Sequence, residues 1–304
     1  MQLEALTAEL IQGGYANSTL VYYKAWWAKL VKFLTDHNLS EQLPINSHHI
    51  ALFLADLFKA GKKEGALRSI LSAIAFKHKL EGKEDPTKAF IIKRLLTGAR
   101  KAKGNPPRKL ALNINILMKL ILILPHVVSN TYYYKLYKSL FLLMYFACLR
   151  VGEVVHSNHG NHCLHLDAIF LSSLTPKADM IIVLNSYKHS KKPAKFLLPQ
   201  GKDTRFCPKK ALLEFLIARQ SAPGPLFVGQ KGEHLSRYLV QKTLKKSLTR
   251  IGCDATRFNT HSFRVGRASD LATQGVSEQI IRETGRWNSN AFMKYLRFEL
   301  FHLS

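Results

Sequence analysis

The chain has 304 residues, with 45 lysines and arginines against 20 aspartates and glutamates, so its formal charge is +25 and its pI is about 10.0. Because 47% of the residues are hydrophobic and only 21% are charged, the composition excludes an intrinsically disordered chain and predicts a large folded core. This excess of positive charge indicates a polyanionic partner, for which nucleic acid is favoured over an acidic membrane surface.

The first third of the chain predicts four consecutive helices. Apolar residues at three- and four-residue steps indicate a helix from near Ser18, and Ser47 is the predicted N-cap of a second helix that Gly61 ends. A third helix ends near Gly82, and a fourth opens with Pro86 in its first turn. The predicted buried faces of the first three helices are formed by Leu20, Tyr23, Trp27, Leu30, Val31, Leu34, Ile50, Phe53, Leu54, Leu57, Leu67, Ile70, Leu71 and Ile74.

A basic, proline-containing segment follows this helical region. Residues 101–109 read Lys-Ala-Lys-Gly-Asn-Pro-Pro-Arg-Lys, in which two prolines stop a helix and the cations repel one another. We therefore predict a helical first domain over residues 1–102, a linker over residues 103–112 and a second domain over residues 113–304.

The second domain is predicted to be mainly helical, with a small antiparallel sheet. Two apolar helices come first, one near residues 114–124 and one that runs through Phe146 to Leu149. Short apolar or alternating runs bounded by turn-forming residues then predict three strands, at residues 168–174, 180–184 and 196–198. Five further helices are predicted at residues 209–219, 237–251, 261–273, 278–284 and 291–298.

The apolar segments are too short to cross a membrane. The longest, residues 139–149, falls far short of the roughly 20 residues that a span needs and predicts a buried helix. No basic segment with an apolar core follows Met1, so we expect no secretory signal. Widely spaced cysteines without a CxxC pair favour a reducing compartment and predict no disulfides. These cysteines are Cys148, Cys163, Cys207 and Cys253.

Two segments carry residues suited to phosphate chemistry. In residues 147–155, Arg150 ends an apolar helix at the point where Gly152 permits a change of direction. His261 and Arg264 stand three positions apart, so one helix directs both at the same spot. An arginine holds the non-bridging oxygens of a phosphate in a fork, and a histidine transfers a proton. The pair therefore predicts a phosphate site.

Arg150, His261, Arg264, Trp287 and Tyr295, in this order, resemble the catalytic domain of the tyrosine recombinases, the phage integrase family. Each of these residues alone has a simpler explanation as a helix cap, a surface charge or a core aromatic. Five residue types in the order found in the family, however, form a specific pattern. The sequences around His261 and from Gly285 to Tyr295 look most like those of recombinases from eukaryotic mobile elements such as Cryptons and DIRS-like elements. The resemblance implies a helical core-binding domain followed by a catalytic domain, over nearly the whole chain.

The resemblance also implies DNA cleavage and rejoining. Tyr295 is the implied nucleophile, which attacks the scissile phosphate and forms a 3′-phosphotyrosyl bond. Arg150 and Arg264 are implied to hold the non-bridging oxygens, and His261 to assist proton transfer. Trp287 occupies a position that is His or Trp in the family. No nucleotide, metal or other cofactor is then required.

A lysine on a β-hairpin is further implied to protonate the leaving 5′ oxygen. Lys188 best matches it, although His189 follows where the family has a Ser-Lys-Thr triplet, so Lys191 and Lys192 remain substitutes. Glu153 resembles a family acidic residue that orients its neighbours, and for it we favour simple salt-bridge support.

A histidine-rich loop invites a different interpretation. Residues 156–165 hold four histidines together with Cys163, which is a composition suited to zinc. Their three-residue spacings match no usual zinc finger, and Gly160 and two asparagines favour an exposed connection. We therefore predict no metal site.

Basic residues outside the motif predict contacts to the DNA backbone. A charge run is usually a solvated face, but the net charge and the neighbouring phosphate chemistry favour DNA. The predicted contacts are Lys93, Arg94, Arg100, Lys101, Lys191, Lys192, Lys242, Lys245 and Lys246. By resemblance, the partners are double-stranded DNA and further copies of the chain, as a tetramer on paired sites, and the location is the nucleus.

Two alternatives remain open. A catalytically inactive mobile-element remnant retained for DNA binding is consistent with the unusual hairpin around Lys188 and with the short tail after Tyr295, since many relatives dock a longer C-terminal segment onto the adjacent protomer. A type IB topoisomerase would share the phosphotyrosine chemistry, but the helical first domain and the Gly285-Arg-Trp context favour recombination.

Overall fold

The computed structural model describes residues 2–103, 109–155, 163–171, 180–185, 193–200, 203–219, 223–287, 289, 292–293 and 296. The chain divides into two compact units, Met1–Pro106 and Pro107–Ser304. Each unit has its own hydrophobic core.

The first unit is built from helices alone among its described residues. Its helices are α1 (Gln2–Gly13), α2 (Asn17–Asp36), α3 (Ser47–Lys59), α4 (Glu64–Leu80) and α5 (Phe90–Lys103). The core lies between α2, α3, α4 and α5, and it buries the apolar faces predicted for the central helices, including Leu30, Leu54 and Ile70. Helix α1 was not predicted, and its leucines, such as Leu3 and Leu10, are exposed.

Two predicted helix starts in this unit are corrected by the capping contacts. Asn46, not Ser47, is the N-cap of α3, because its side chain accepts the His48 N–H at 2.8 Å. Pro86 opens a short 3₁₀ turn, Pro86–Lys88, capped by Asp85, and the α-helix itself begins at Phe90.

The second unit combines helices with one sheet. Its helices are α6 (Ile114–Ile123), α7 (Thr131–Phe146), α8 (Val151–Val154), α9 (Pro208–Arg219), α10 (Arg237–Arg250), α11 (Ser262–Thr273) and α12 (Glu278–Gly285). Its strands are β1 (Ile169–Leu171), β2 (Met180–Leu184) and β3 (Ala194–Leu198). The predicted class, mainly helical with a small antiparallel sheet, is confirmed.

Helix α7 forms the centre of the second unit. All ten of its residues from Leu136 to Tyr145 are buried, because α9 and α11 pack against it and α6 and α8 flank it. A helix that is apolar on every side is stable only when it is covered in this way. In the part of the chain that the structure describes, no helix has both the length and the apolar character needed to span a bilayer.

The sheet is antiparallel in the order β1-β2-β3. Ile182 pairs with Ile169 on one side and with Phe196 on the other. Alternate residues of β2 are buried, which is the two-residue period of a half-covered sheet. The predicted first strand extends into residues 172–174, and most of the predicted last helix, 291–298, also lies outside the described residues.

Candidate active site

The turn between α7 and α8 sets the position of Arg150. Helix α7 ends at Phe146, three residues earlier than predicted, and Cys148 takes a left-handed conformation with φ 48°. The bend therefore lies at Cys148, whereas Gly152, predicted to make the turn, lies inside α8. Arg150 has extended backbone and is the N-cap of α8 instead of the end of α7.

Glu153 holds Arg150 in place. Its carboxylate accepts the Arg150 backbone N–H at 2.8 Å and an Arg150 Nη1–H at 2.8 Å. The Arg150 side chain is 27% exposed and that of Glu153 is 3% exposed. One edge of the Arg150 guanidinium is thus fixed by a buried carboxylate while part of the group stays accessible, and the predicted salt bridge of Glu153 is present.

Helix α11 carries the next two predicted residues. His261 is its N-cap and Arg264 lies in its first turn, where it is completely buried. The Arg264 guanidinium donates to the carbonyl of Cys148 and, at 2.6 Å, to the carbonyl of Gly285. Arg264 is therefore bonded to the turn that leads into Arg150 and to the end of α12.

Close packing brings α11 to this position. Leu112 donates its N–H to the Ser262 carbonyl at 3.0 Å, and Gly266 lies against the Leu112 carbonyl. A side chain at residue 266 would overlap that carbonyl, so glycine is needed for the approach.

Trp287 lies beside Arg264, with the guanidinium carbon 4.6 Å from the centroid of its ring. The indole is 8% exposed and packs against Phe292 in a small cluster that also includes Ala268, Leu271 and Ile281. Gly285 allows this arrangement, since a Cβ there would overlap the indole. Four of the predicted catalytic residues, Arg150, His261, Arg264 and Trp287, are thus brought together.

The electrostatics of the cluster favour an anion. Burial, followed by the positive charges of Arg264 and Arg150, lowers the pKa of His261 to about 4. Burial also lowers the pKa of Arg264 to about 10, with Arg150 and Arg286 adding to the effect, so Arg264 stays charged at neutral pH. A phosphate placed here would offset the repulsion between these cations.

Arg286 is a member of the cluster that the sequence analysis missed. It is 9% exposed, and one of its guanidinium nitrogens donates to Glu153 at 2.6 Å. An arginine between a glycine and a tryptophan carries no sequence signal for burial, because its acceptor stands 133 positions earlier in the chain.

The remaining predicted catalytic residues are not among those described. Tyr295 lies outside the described residues, although Phe292, Met293 and Leu296 near it are included. Lys188, Lys191 and Lys192 fall in the stretch that joins β2 to β3 and are also outside them, as are residues 156–162 of the histidine-rich loop.

The predicted DNA contacts that can be located form two basic faces. On α5, Ile92, Leu96 and Ala99 are buried, while the predicted cations lie on the outer face. These cations are Lys93, Arg94, Arg100 and Lys101. On α10, the predicted cations lie along a cleft of about 690 Å³ that also includes His126, Tyr238 and Arg250. These are Lys242, Lys245 and Lys246.

A comparison with protein families decides the classification. The model that describes the phage integrase family matches residues 120–297, which is more than half of the chain. The chain belongs to the phage integrase family. The matched region includes α7, the turn with Arg150, the sheet and α11, so it contains the whole cluster described above.

Solved structures of the family have the same fold at low sequence identity. The lambda integrase (75–356) dimer bound to a COC′ core site gives a TM-score of 0.62 at 15% identity, covering 99% of this chain and 96% of the other. The Tn1549 transposon integrase in complex with circular intermediate DNA gives 0.58 at 13% identity, covering 99% and 95%. The XerH recombinase bound to difH substrate, a pre-cleavage complex, gives 0.59 at 16% identity, covering 88% and 74%. No curated protein sequence matches the chain.

Proposed function

We propose that this integrase-family chain cleaves and rejoins DNA strands through a 3′-phosphotyrosyl intermediate. The proposal rests on one observation: Arg264 donates to the Cys148 carbonyl, two residues before Arg150, while both guanidiniums lower the pKa of His261. Two cations and a neutral imidazole therefore lie at one place on the second unit. This is the set of groups that an in-line attack on a phosphodiester needs.

The proposed reaction assigns one task to each residue. The phenolic oxygen of Tyr295 attacks the phosphorus, and the new P–O bond forms as the bond to the 5′ oxygen breaks. Arg150 and Arg264 stabilise the charge that develops on the non-bridging oxygens. His261 accepts the tyrosine proton, and Lys188 donates a proton to the leaving 5′ oxygen. The reverse reaction, by a 5′-hydroxyl of another strand, restores a phosphodiester and frees Tyr295.

The lowered pKa of His261 means that the imidazole is neutral before the phosphate binds, and a bound phosphate would raise that pKa towards the operating pH, where a general base is most effective. At neutral pH the imidazole is uncharged, which is the form that can take up a proton. The approach of a phosphate adds negative charge and partly offsets the effect of the two arginines on the pKa of His261. The phosphotyrosyl bond conserves the energy of the broken phosphodiester, so the proposed reaction needs no nucleotide or metal.

The proposed partners follow from charge and from the relatives. The net charge of +25 and the basic faces of α5 and α10 suit double-stranded DNA. The related lambda integrase has been solved as a dimer on a core site and as a tetramer on a Holliday junction. We accordingly propose a homotetramer on paired DNA sites. We also propose a mobile element of the Crypton or DIRS-like kind as the source of the chain, and the nucleus as its place of action.

Trapping of the covalent intermediate tests the function. The probe is a pool of duplexes with a randomised central sequence, each nicked just 3′ to the randomised region, so that a short 5′-hydroxyl fragment diffuses away after cleavage. We expect the wild-type protein to give a denaturant-resistant adduct. Tyr295→Phe should give none while binding the same pool with unchanged affinity.

A matched control is Tyr134→Phe, which removes a hydroxyl from α7 at a position outside the candidate site and outside both basic faces. It should leave adduct formation intact. Tight binding of the wild-type protein with no adduct across the pool would refute the enzymatic proposal and favour the inactive DNA-binding remnant.

A further inference from the structure

Arg286 makes three contacts with the segment that carries Arg150. Its Nη2 donates to Glu153 at 2.6 Å and to the Cys148 carbonyl at 3.3 Å, and its Nη1 donates to the Ala147 carbonyl at 3.3 Å. The guanidinium carbon also lies 4.6 Å from the centroid of the Phe196 ring on β3. One side chain therefore connects the end of α12 to the α7–α8 turn and to the sheet.

Arg286 shares an acceptor with each of the two arginines of the candidate site. The Cys148 carbonyl accepts from both Arg286 and Arg264. The Glu153 carboxylate accepts from both Arg286 and Arg150. Because these acceptors are buried, a movement of either would displace the guanidinium that is bonded to it.

The backbone fixes Arg286 as firmly as its side chain does. Arg286 is the C-cap of α12 in the left-handed conformation, with φ 55° and ψ 49°, and its N–H donates to the Glu283 carbonyl at 3.0 Å. Such a conformation is costly for a residue with a Cβ and persists only where surrounding contacts hold it. Here the bonds to Glu153 and to two carbonyls provide those contacts.

We propose that Arg286 is a positioning residue that acts through Glu153 and the Cys148 carbonyl to hold Arg150 and Arg264 in one geometry for a single phosphate. The inference rests on the proposed DNA-cleaving function. Both terminal nitrogens of the Arg286 guanidinium are bonded to the α7–α8 turn or to Glu153, so the role assigned to it is to set the separation and orientation of the Arg150 and Arg264 guanidiniums.

The expected effect is on the rate of the chemical step. A misplacement of a reacting group by about 1 Å costs on the order of 10²-fold in rate. We therefore expect Arg286→Met to slow single-turnover adduct formation by roughly 100-fold. The control is Arg282→Met, which removes an equal charge one helical turn away, at a residue with no bond to Glu153 or Cys148. The two variants should lower DNA affinity by similar amounts.

The experiment uses the full chain and a duplex from the nicked pool that reacts with the wild-type protein. Adduct rate and final yield are measured separately, because yield reports the folded, active fraction and rate reports the geometry. Arg286→Lys keeps the charge but loses the planar fork, so we expect a rate between those of the wild type and Arg286→Met. This second variant keeps the test decisive if the methionine variant unfolds.

A substrate change separates positioning from a general loss of structure. A methylphosphonate at the scissile position replaces one charged oxygen by a methyl group, so correct placement of both cations matters less. If Arg286 acts through Arg150 and Arg264, the slowing caused by Arg286→Met should shrink from roughly 100-fold to less than about 10-fold on this substrate.

Each outcome decides between the proposals. An Arg286→Met rate equal to the wild-type rate, or an equal slowing on both substrates, would overturn the positioning role while leaving the proposed function in place. A wild-type protein that forms no adduct with any duplex would overturn the proposed function, and the positioning role with it.

Discussion

The hydroxyl of Tyr145 donates to the carboxylate of Asp270, which joins the last turn of α7 to α11 across 125 positions of the sequence. The same carboxylate oxygen accepts the N–H of Ile114 at the start of α6 at 2.8 Å. The Arg267 guanidinium carbon lies 5.6 Å from the centroid of the Tyr145 ring. A buried network thus sets the distance between α7, which leads to Arg150, and α11, which carries Arg264.

Removal of the Tyr145 hydroxyl should destabilise the second unit. Burial raises the pKa of Asp270, and Tyr145 is the side chain that donates to it. Tyr145→Phe leaves a buried carboxylate one donor short, which costs roughly 1–3 kcal/mol. Urea-induced unfolding, monitored by near-UV circular dichroism, measures the decrease in the free energy of unfolding. Tyr238→Phe, at a tyrosine that is 69% exposed, should change stability by less than about 0.5 kcal/mol. Equal effects of the two variants would contradict the role of the network.

His261 should make the protein less stable in mild acid. Its pKa is about 4 in the folded chain and about 6.5 when unfolded, so the unfolded state takes up the proton more readily between these values. The free energy of unfolding therefore decreases as the pH falls from 6.5 to 4. Below pH 4, His261 causes no further decrease. His261→Gln should remove this contribution. Urea unfolding of both proteins at a series of pH values checks it, and parallel stability curves would refute it.

The helix glycines should respond to alanine in opposite directions. Gly266 lies against the Leu112 carbonyl, which belongs to the backbone and cannot easily move, so Gly266→Ala should destabilise the second unit by roughly 1–3 kcal/mol. Gly98 in α5 faces open space, so Gly98→Ala should stabilise the first unit by about 0.5–1 kcal/mol. Differential scanning calorimetry of the two variants measures both effects. A stabilising Gly266→Ala would contradict the close approach of α11.

The α10 cleft should contribute to the salt dependence of DNA binding. Each lysine that neutralises a phosphate adds about 0.9 to the slope of log affinity against log salt. Replacing Lys242, Lys245 and Lys246 together by alanine should therefore reduce that slope by about 2 to 3. Lys231→Ala, at an exposed loop position, serves as the control. If the triple variant has the same slope of log affinity against log salt as the wild type, DNA does not bind in the α10 cleft. If the wild-type affinity does not depend on salt, neither basic face is a DNA contact.

Local pattern was enough to predict much of the fold. The apolar periodicity of α2, α3 and α4 identified faces that are buried, and the short alternating runs identified the sheet. Helix α1 was missed although Leu3, Leu6 and Leu10 have the same three- and four-residue spacing as the apolar residues of α2. The spacing predicts a helix, but not that its apolar residues are exposed within the first unit.

The part of the site that depends on distant contacts could not be predicted. Gly152 was the natural candidate for the bend after α7, yet the bend is at Cys148, where Arg264 and Arg286 both bond to the carbonyl. Such contacts can hold a residue in a conformation that its type disfavours. The order of Arg150, His261, Arg264 and Trp287 indicated the cluster, but the burial of Arg286 depends on the fold as a whole.

Residues 109–112 of the second unit run beside the segment that leads into α11, the helix with the candidate catalytic pair. Lys109 donates to the Thr256 carbonyl at 2.6 Å and Leu110 donates to the Arg257 carbonyl at 2.8 Å, shortly before Leu112 bonds to Ser262 at the first turn of α11. Because three hydrogen bonds join residues 109–112 to the approach and first turn of α11, a substitution that loosens this short stretch would also loosen the backbone that carries His261 and Arg264.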